Sequence, residues 1–300
     1  MSVLVLLMVL GVAPALPGIA NRTKSAMTGR RGAPILQLYS DLAKLWRKGV
    51  VYSRTTTPVF RVAPVVLCAS TLLAAALLPL DGREALMGFP GDLVAFAGLL
   101  ALGRFLLVLA ALDTGSSFEG MGASREVTVA TFAEPALYLC FTVLVLATGD
   151  LSLAGMLGQP LAAAWPAAAP SLILAGASLF IIALAEACRV PVDDPLTHLE
   201  LTMIHEVMVL DHSGPDLALI LYAGSVKLAL FGSLIVGVLV PRANLPGPLA
   251  LGVLVLGLAA VAVAIGVVES IMARLRMNRV PQLLVAASAL AGFALILLLR

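Results

Sequence analysis

Apolar residues run on for about 20 positions at a time, over and over, before a charge or a breaker stops them. The windows fall at 1–20, 58–79, 92–112, 127–148, 170–189, 215–240, 247–268 and 281–300. A helix needs about 20 mostly apolar residues to cross the hydrocarbon core of a bilayer. Within that core only structures that satisfy their own backbone hydrogen bonds persist. The chain is therefore expected to be an all-α polytopic membrane protein with eight transmembrane helices, forming one transmembrane domain over 1–300. Composition agrees: 61% of residues are hydrophobic and 12% charged, against about 45–50% and 25% in soluble domains. The breaks carry turn chemistry, at Asp81-Gly82, at Gly149-Asp150 and from Pro241 to Pro248. The first window, MSVLVLLMVLGVAPALPGIA, lacks the basic start of a signal peptide and is read as a retained first span.

Lysine and arginine set the expected orientation. The segment 21–57 holds eight of them, and Arg125, Arg274, Arg276 and Arg279 lie in loops on the same side, giving twelve. The opposite side has three, Arg83, Arg242 and Arg300. The positive-inside rule then puts the basic loops in the cytoplasm and both termini outside. One basic loop contains LQLYSDLAKLWRKG, with Leu38, Leu42 and Leu45 at helical spacing. That pattern predicts an amphipathic helix over 36–49 on the membrane surface. It serves as a simple anchor or as the floor of a docking site for a cytoplasmic subunit, and the pattern fits both. Docking candidates in the basic loops are Arg30, Arg31, Asp41, Lys44, Arg125, Arg189, Asp194 and His198.

Charges at membrane depth are costly and point to function. Arg104, Glu134 and Lys227 lie inside apolar windows, and Glu186 lies near the end of another. Arg104–Glu134 and Lys227–Glu186 could be structural pairs. More acids follow in LAEACRVPVDDPLTHLELTMIHE (184–206) and just beyond: Asp193, Glu200, Glu206 and Asp211. Burial and crowding raise carboxyl pKa values toward what a proton relay needs, while a solvated acidic face explains part of the same stretch. The ion-path candidates are Glu134, Glu186, Asp193, Glu200, Glu206, Asp211, Lys227 and Arg104. His198, His205 and His212 recur every seven residues. On one helix that spacing puts neighbours about 10 Å apart, too far for one metal, and HEVMV lacks the second histidine of HExxH. Asp194-Pro195 reads as a helix start. The three cysteines, Cys68, Cys140 and Cys188, are far apart and form no CxxC. With no phosphate loop and no nucleophile elbow, the chain is expected to hold no catalytic residue, no metal and no cofactor, and to bind no nucleic acid.

LAEACRVPVDDPLTHLELTMIHE resembles the signature of the membrane subunit shared by energy-converting hydrogenases and respiratory complex I, the subunit-1 family. Leu184-Ala185-Glu186, Arg189, Pro191 and Asp193 fit its frame. GRRGAPILQLYSDLAKLWRK and LDTGSSFEGMGASREVTVATFAEP are similar to the hydrogenase branch, that of formate hydrogenlyase and hydrogenase-4. The resemblance implies eight transmembrane helices plus a surface helix. It implies docking to a hydrogenase-like large subunit and an iron–sulfur small subunit, which carry the [NiFe] centre and the clusters. It also implies an ion path to antiporter-like membrane subunits, with Glu134, Glu186, Asp193 and Glu200 on motif acids. In LDHSGPD, Asp211 and His212 replace the family's usual Glu-Tyr, and the Gly-Pro-Asn of the complex I first loop is missing. A quinone-reducing, complex I-like role is the alternative. A stand-alone transporter would need internal repeats with broken helices, and the sequence has none.

Overall fold

The computed structural model describes residues 2–194 and 203–300. Its long helices are α4 (Pro58–Leu77), α5 (Asp92–Asp113), α6 (Ser117–Thr148), α8 (Gln159–Glu186), α10 (Gly214–Leu239), α11 (Gly247–Ile271) and α12 (Val280–Leu298). Near the N-terminus lie α1 (Ser2–Val12), α2 (Ala15–Met27) and α3 (Gln37–Trp46), and α7 (Leu153–Leu157) and α9 (His205–Met208) are short. Among the described residues, seven helical segments are long and apolar enough to cross a membrane, or eight if the bent pair α1 and α2 counts as one span. Among the described residues there is no strand. The fold is all-α and polytopic, as the apolar windows require.

The first span departs from expectation. It bends by 41° between α1 and α2, where Pro14 cannot donate to a carbonyl one turn back. Two carbonyls at the break find other donors: the Tyr222 hydroxyl bonds Leu10 O at 3.3 Å, and the Tyr39 hydroxyl bonds Gly11 O. Helix α2 also runs on through Met27, into what reads as a loop in sequence. The sequence likewise reads 113–126 as a loop, but α6 begins at Ser117, so Glu119 and Glu126 lie on a helix.

Helix α10 sits at the centre, buried along most of its length, while α11 and α12 are largely peripheral. The connections gather at two ends. At one, the Ser2 hydroxyl bonds Asp81, Arg83 donates to Leu245 O, and Arg242 donates to Leu80 O at 3.1 Å. There Asp92, fully buried, accepts from Leu153 N at 2.7 Å. At the other, Thr57 caps α4 and donates to Asp113 from its backbone N at 2.6 Å, Arg125 donates to Met203 O, and Leu275 N bonds Pro191 O. Close approach needs glycine at two places near this second end. A Cβ on Gly266 of α11 would stand 2.5 Å from Ala20 O of α2, and one on Gly122 of α6 would stand 2.9 Å from Ile204 O beside α9.

Candidate functional site

Three carboxylates from two helices converge on one guanidinium midway along the bundle. Arg104, 8% exposed on α5, donates from Nη1 to Glu134 Oε1 at 2.9 Å and from Nη2 to Glu186 Oε1 at 2.5 Å. Its Nε lies 3.6 Å from Glu126 Oε1. The other oxygen of Glu186 sits 2.6 Å from Lys227 Nζ, on α10. Glu126 and Glu134 are about two helical turns apart on one side of α6, so one guanidinium between them reaches both. Both pairs left open by the sequence are formed, and the Arg104–Glu186 contact links them. Three acids against two bases leave the cluster one negative charge. Isolated charges at this depth would each cost several kcal/mol; shared pairing offsets much of that, and removing one partner exposes the remainder.

Cavities flank the cluster. One of about 280 Å³ is lined by Arg104, Glu126, Glu186 and Lys227, by Arg189, Asp193, His205 and Glu206, and by apolar side chains including Leu38 of α3, Leu67, Leu107 and Ile220. A second, of about 40 Å³, is lined by Gly98, Ala101, Glu134 and Tyr138, and again by Arg104 and Glu186. That is room for water. The Arg104–Glu186 pair therefore stands between the two spaces.

A second network braces the turn after α8. Asp193, 2% exposed, meets Arg274 at 2.9 Å and accepts from Ile204 N at 3.1 Å and His205 N at 3.0 Å. Arg189 donates to Asn21 Oδ1 at 3.2 Å and to Glu269 Oε1 at 3.5 Å. Lys24 approaches Asp194 at 3.7 Å and Glu269 at 3.8 Å. Two backbone amides and an arginine fix Asp193, so it positions the His205 turn as well as lining the cavity.

The other candidates scatter. Arg189, a docking candidate from sequence, is 6% exposed and braces the interior, because Glu269 at the end of α11 draws it inward. Arg30 and Arg31 are exposed, and Lys44 stands beside Asp41 on the exposed side of α3. Asp211 is also exposed and outside the cavity lining, with its backbone N bonded to Glu119. Glu200 and His198, and the helix start read at Asp194-Pro195, involve positions outside the described residues. The histidines do not share one helix: α9 ends at Met208, before His212. His212 instead stacks on Phe60 at 3.9 Å, and burial pushes its imidazole down to about 4. Burial also lowers His205, with Glu126 pulling the other way. Among the described residues no three His, Cys, Asp or Glu are grouped to hold a metal ion. Sequence reasoning missed Glu126 and Glu119 as buried acids, along with Asp92 and Arg242 at the opposite end, and saw Glu269 close an apolar window without making it a candidate. Their one signal was a charge within a turn or two of an apolar window.

The family model for NADH dehydrogenase matches residues 1–300. This chain belongs to that family, as a complex I subunit 1-like protein. Within it, the chain is 35% identical to hydrogenase-4 component C of Escherichia coli (strain K12) over 231 residues, 76% of this chain and 71% of that protein. It is 30% identical to formate hydrogenlyase subunit 4 of the same organism over 303 residues, covering 98% and 96%. Against an NADH-quinone oxidoreductase subunit of Frankia alni (strain DSM 45986 / CECT 9034 / ACN14a), identity is 26% over 53% of this chain and 37% of that protein. The fold matches a chain of the membrane-bound sulfane sulfur reductase, an archaeal respiratory membrane complex, with TM-score 0.84, 18% identity and coverage of 99% and 98%. This subunit 1-like chain is thus an integral membrane protein, with its buried charge cluster inside the family fold.

Proposed function

We propose that the chain is the membrane-anchoring and coupling subunit of a multisubunit, energy-converting [NiFe] hydrogenase. It docks the hydrogenase arm and links electron transfer and hydrogen evolution to proton or sodium movement. The observation that carries this reading is the Glu126–Arg104–Glu186–Lys227 cluster with Glu134, set between a cavity and the bundle interior. Such acids, linked through shared cations, suit a relay, and the two Escherichia coli relatives are by name a component of hydrogenase-4 and a subunit of formate hydrogenlyase. The chain performs no bond chemistry of its own. Its partners are a hydrogenase-like large subunit and an iron–sulfur small subunit, which hold the [NiFe] centre and clusters, and antiporter-like membrane subunits. The exposed Arg30, Arg31 and Lys44, with Asp41 on α3, form the cytoplasmic docking face. The chain lies in the prokaryotic cytoplasmic membrane.

The purified complex should contain nickel and evolve hydrogen, and quinone analogues should not slow it. In vesicles, Glu134→Gln and Glu186→Gln should each preserve assembly and hydrogen evolution while abolishing coupled ion uptake. Normal uptake in both variants would reduce the cluster to a structural one. A second reading, the equivalent subunit of a quinone-reducing complex, draws on the largely apolar walls of the larger cavity. Quinone-site inhibition in a nickel-free complex would favour it.

A further inference from the structure

Glu134 lies near the middle of α6 and pairs with Arg104 on its inner side, yet its side chain is 43% exposed. The other two acids of the cluster are 10% exposed or less. A carboxylate at that depth cannot be left against hydrocarbon without a large penalty. The surface around it is also unlike the rest of the bundle. Thr128, Thr131, Tyr138 and Thr142 are all exposed along one side of α6. Each threonine hydroxyl bonds a carbonyl of its own helix at 2.8 Å, and each oxygen keeps a free acceptor side. The Tyr138 hydroxyl has no hydrogen-bond partner among the described residues. By contrast, α4, α5, α8, α10, α11 and α12 expose no serine, threonine or tyrosine along their lengths. The outer faces of α11 and α12 carry Leu256, Val263, Val285, Phe293 and Ile296, side chains that lipid solvates well. Beside Glu134, α5 offers a notch: a Cβ on Gly98 would meet nothing within 4 Å. Small residues of this kind let a neighbouring membrane helix approach closely, and hydroxyls bond across the contact.

We propose that the α5–α6 face around Glu134 is the docking site for one transmembrane helix of another membrane subunit, bearing a basic side chain at the depth of Glu134. Charge selects that occupant. The cluster is one positive charge short, and lipid headgroups do not reach the bilayer centre. A second copy of this chain, packed symmetrically through the same face, would set Glu134 against Glu134. The proposal rests on reading the chain as one subunit of an assembly, and it adds which face of the bundle meets the partner.

The test places a benzophenone amino acid at Tyr138 or Thr142, and at Val263 or Phe293 as controls, in the tagged full-length chain. Native membranes are irradiated before solubilisation, and adducts are mapped by mass spectrometry. Positions 138 and 142 should join a transmembrane peptide of one other subunit of the same complex, a peptide containing lysine, arginine or histidine. Positions 263 and 293 should yield lipid adducts only. The proposal is overturned if 138 and 142 join only lipid or a second copy of the chain, or if the joined peptide has no basic residue. Lipid adducts together with a co-purifying hydrogenase arm would sink the docking face alone. Recovery of the chain with no other subunit would sink the assembly reading too.

Discussion

Glu186 holds a cation with each of its oxygens, Arg104 on one and Lys227 on the other. Neither cation has another route to neutrality as short as this, so the three side chains act as a unit. Lys227→Met should therefore destabilise the purified complex markedly, toward the lower end of the ~3–5 kcal/mol that breaking a buried pair costs, because Arg104 still serves Glu186. Combining it with Glu186→Gln should cost less than the two single changes added, by about 1 kcal/mol or more. Thermal unfolding at a fixed heating rate measures both, and strict additivity would mean that the 2.6 Å contact is not a real coupling. Arg104 and Lys227 were legible in the sequence because a lone charge inside an apolar window stands out. Glu126 was not. It follows Arg125 just outside the window, in what reads as a loop, and only the early start of α6 carries it inside the bundle.

Elements were legible where apolar length alone decides them, as in α4, α5, α10 and α11. They were misread where a proline changes the answer without changing hydropathy. Window 1–20 is apolar throughout, yet Pro14 divides it, and the end of α1 at the break is held by hydroxyls from α3 and α10. No local pattern announces a tyrosine more than 200 positions away as the donor to Leu10. Tyr222→Phe removes that donor while keeping the ring. It should lower stability by about 1 kcal/mol, the net worth of one such bond, with no effect on the remaining spans. Hydrogen exchange should quicken selectively in residues 8–16. Unchanged exchange there would show that water, and not Tyr222, satisfies the carbonyl. Pro135 behaves differently: α6 remains helical through it, so it loosens one bond beside Glu134 without dividing the helix.

At the scale of the whole molecule, the loops sort into two ends, and the lysine and arginine excess of twelve to three lies at the end that holds α3 and α9. If that end is cytoplasmic, alkaline phosphatase fused after Arg300 should be active in cells and a fluorescent protein at the same place should stay dark. The opposite pair of results would invert the orientation. The sorting was legible because charge bias and turn residues are local. The sharing of Arg104 among three acids was not, since it depends on which helices become neighbours. That shared guanidinium also bears on the resting state. It and Glu186 stand where the larger cavity would otherwise run into the smaller one beside Glu134. The two spaces are thus kept apart by a closed ion pair, which is what the proposed role would require of a subunit that must not leak ions while it waits.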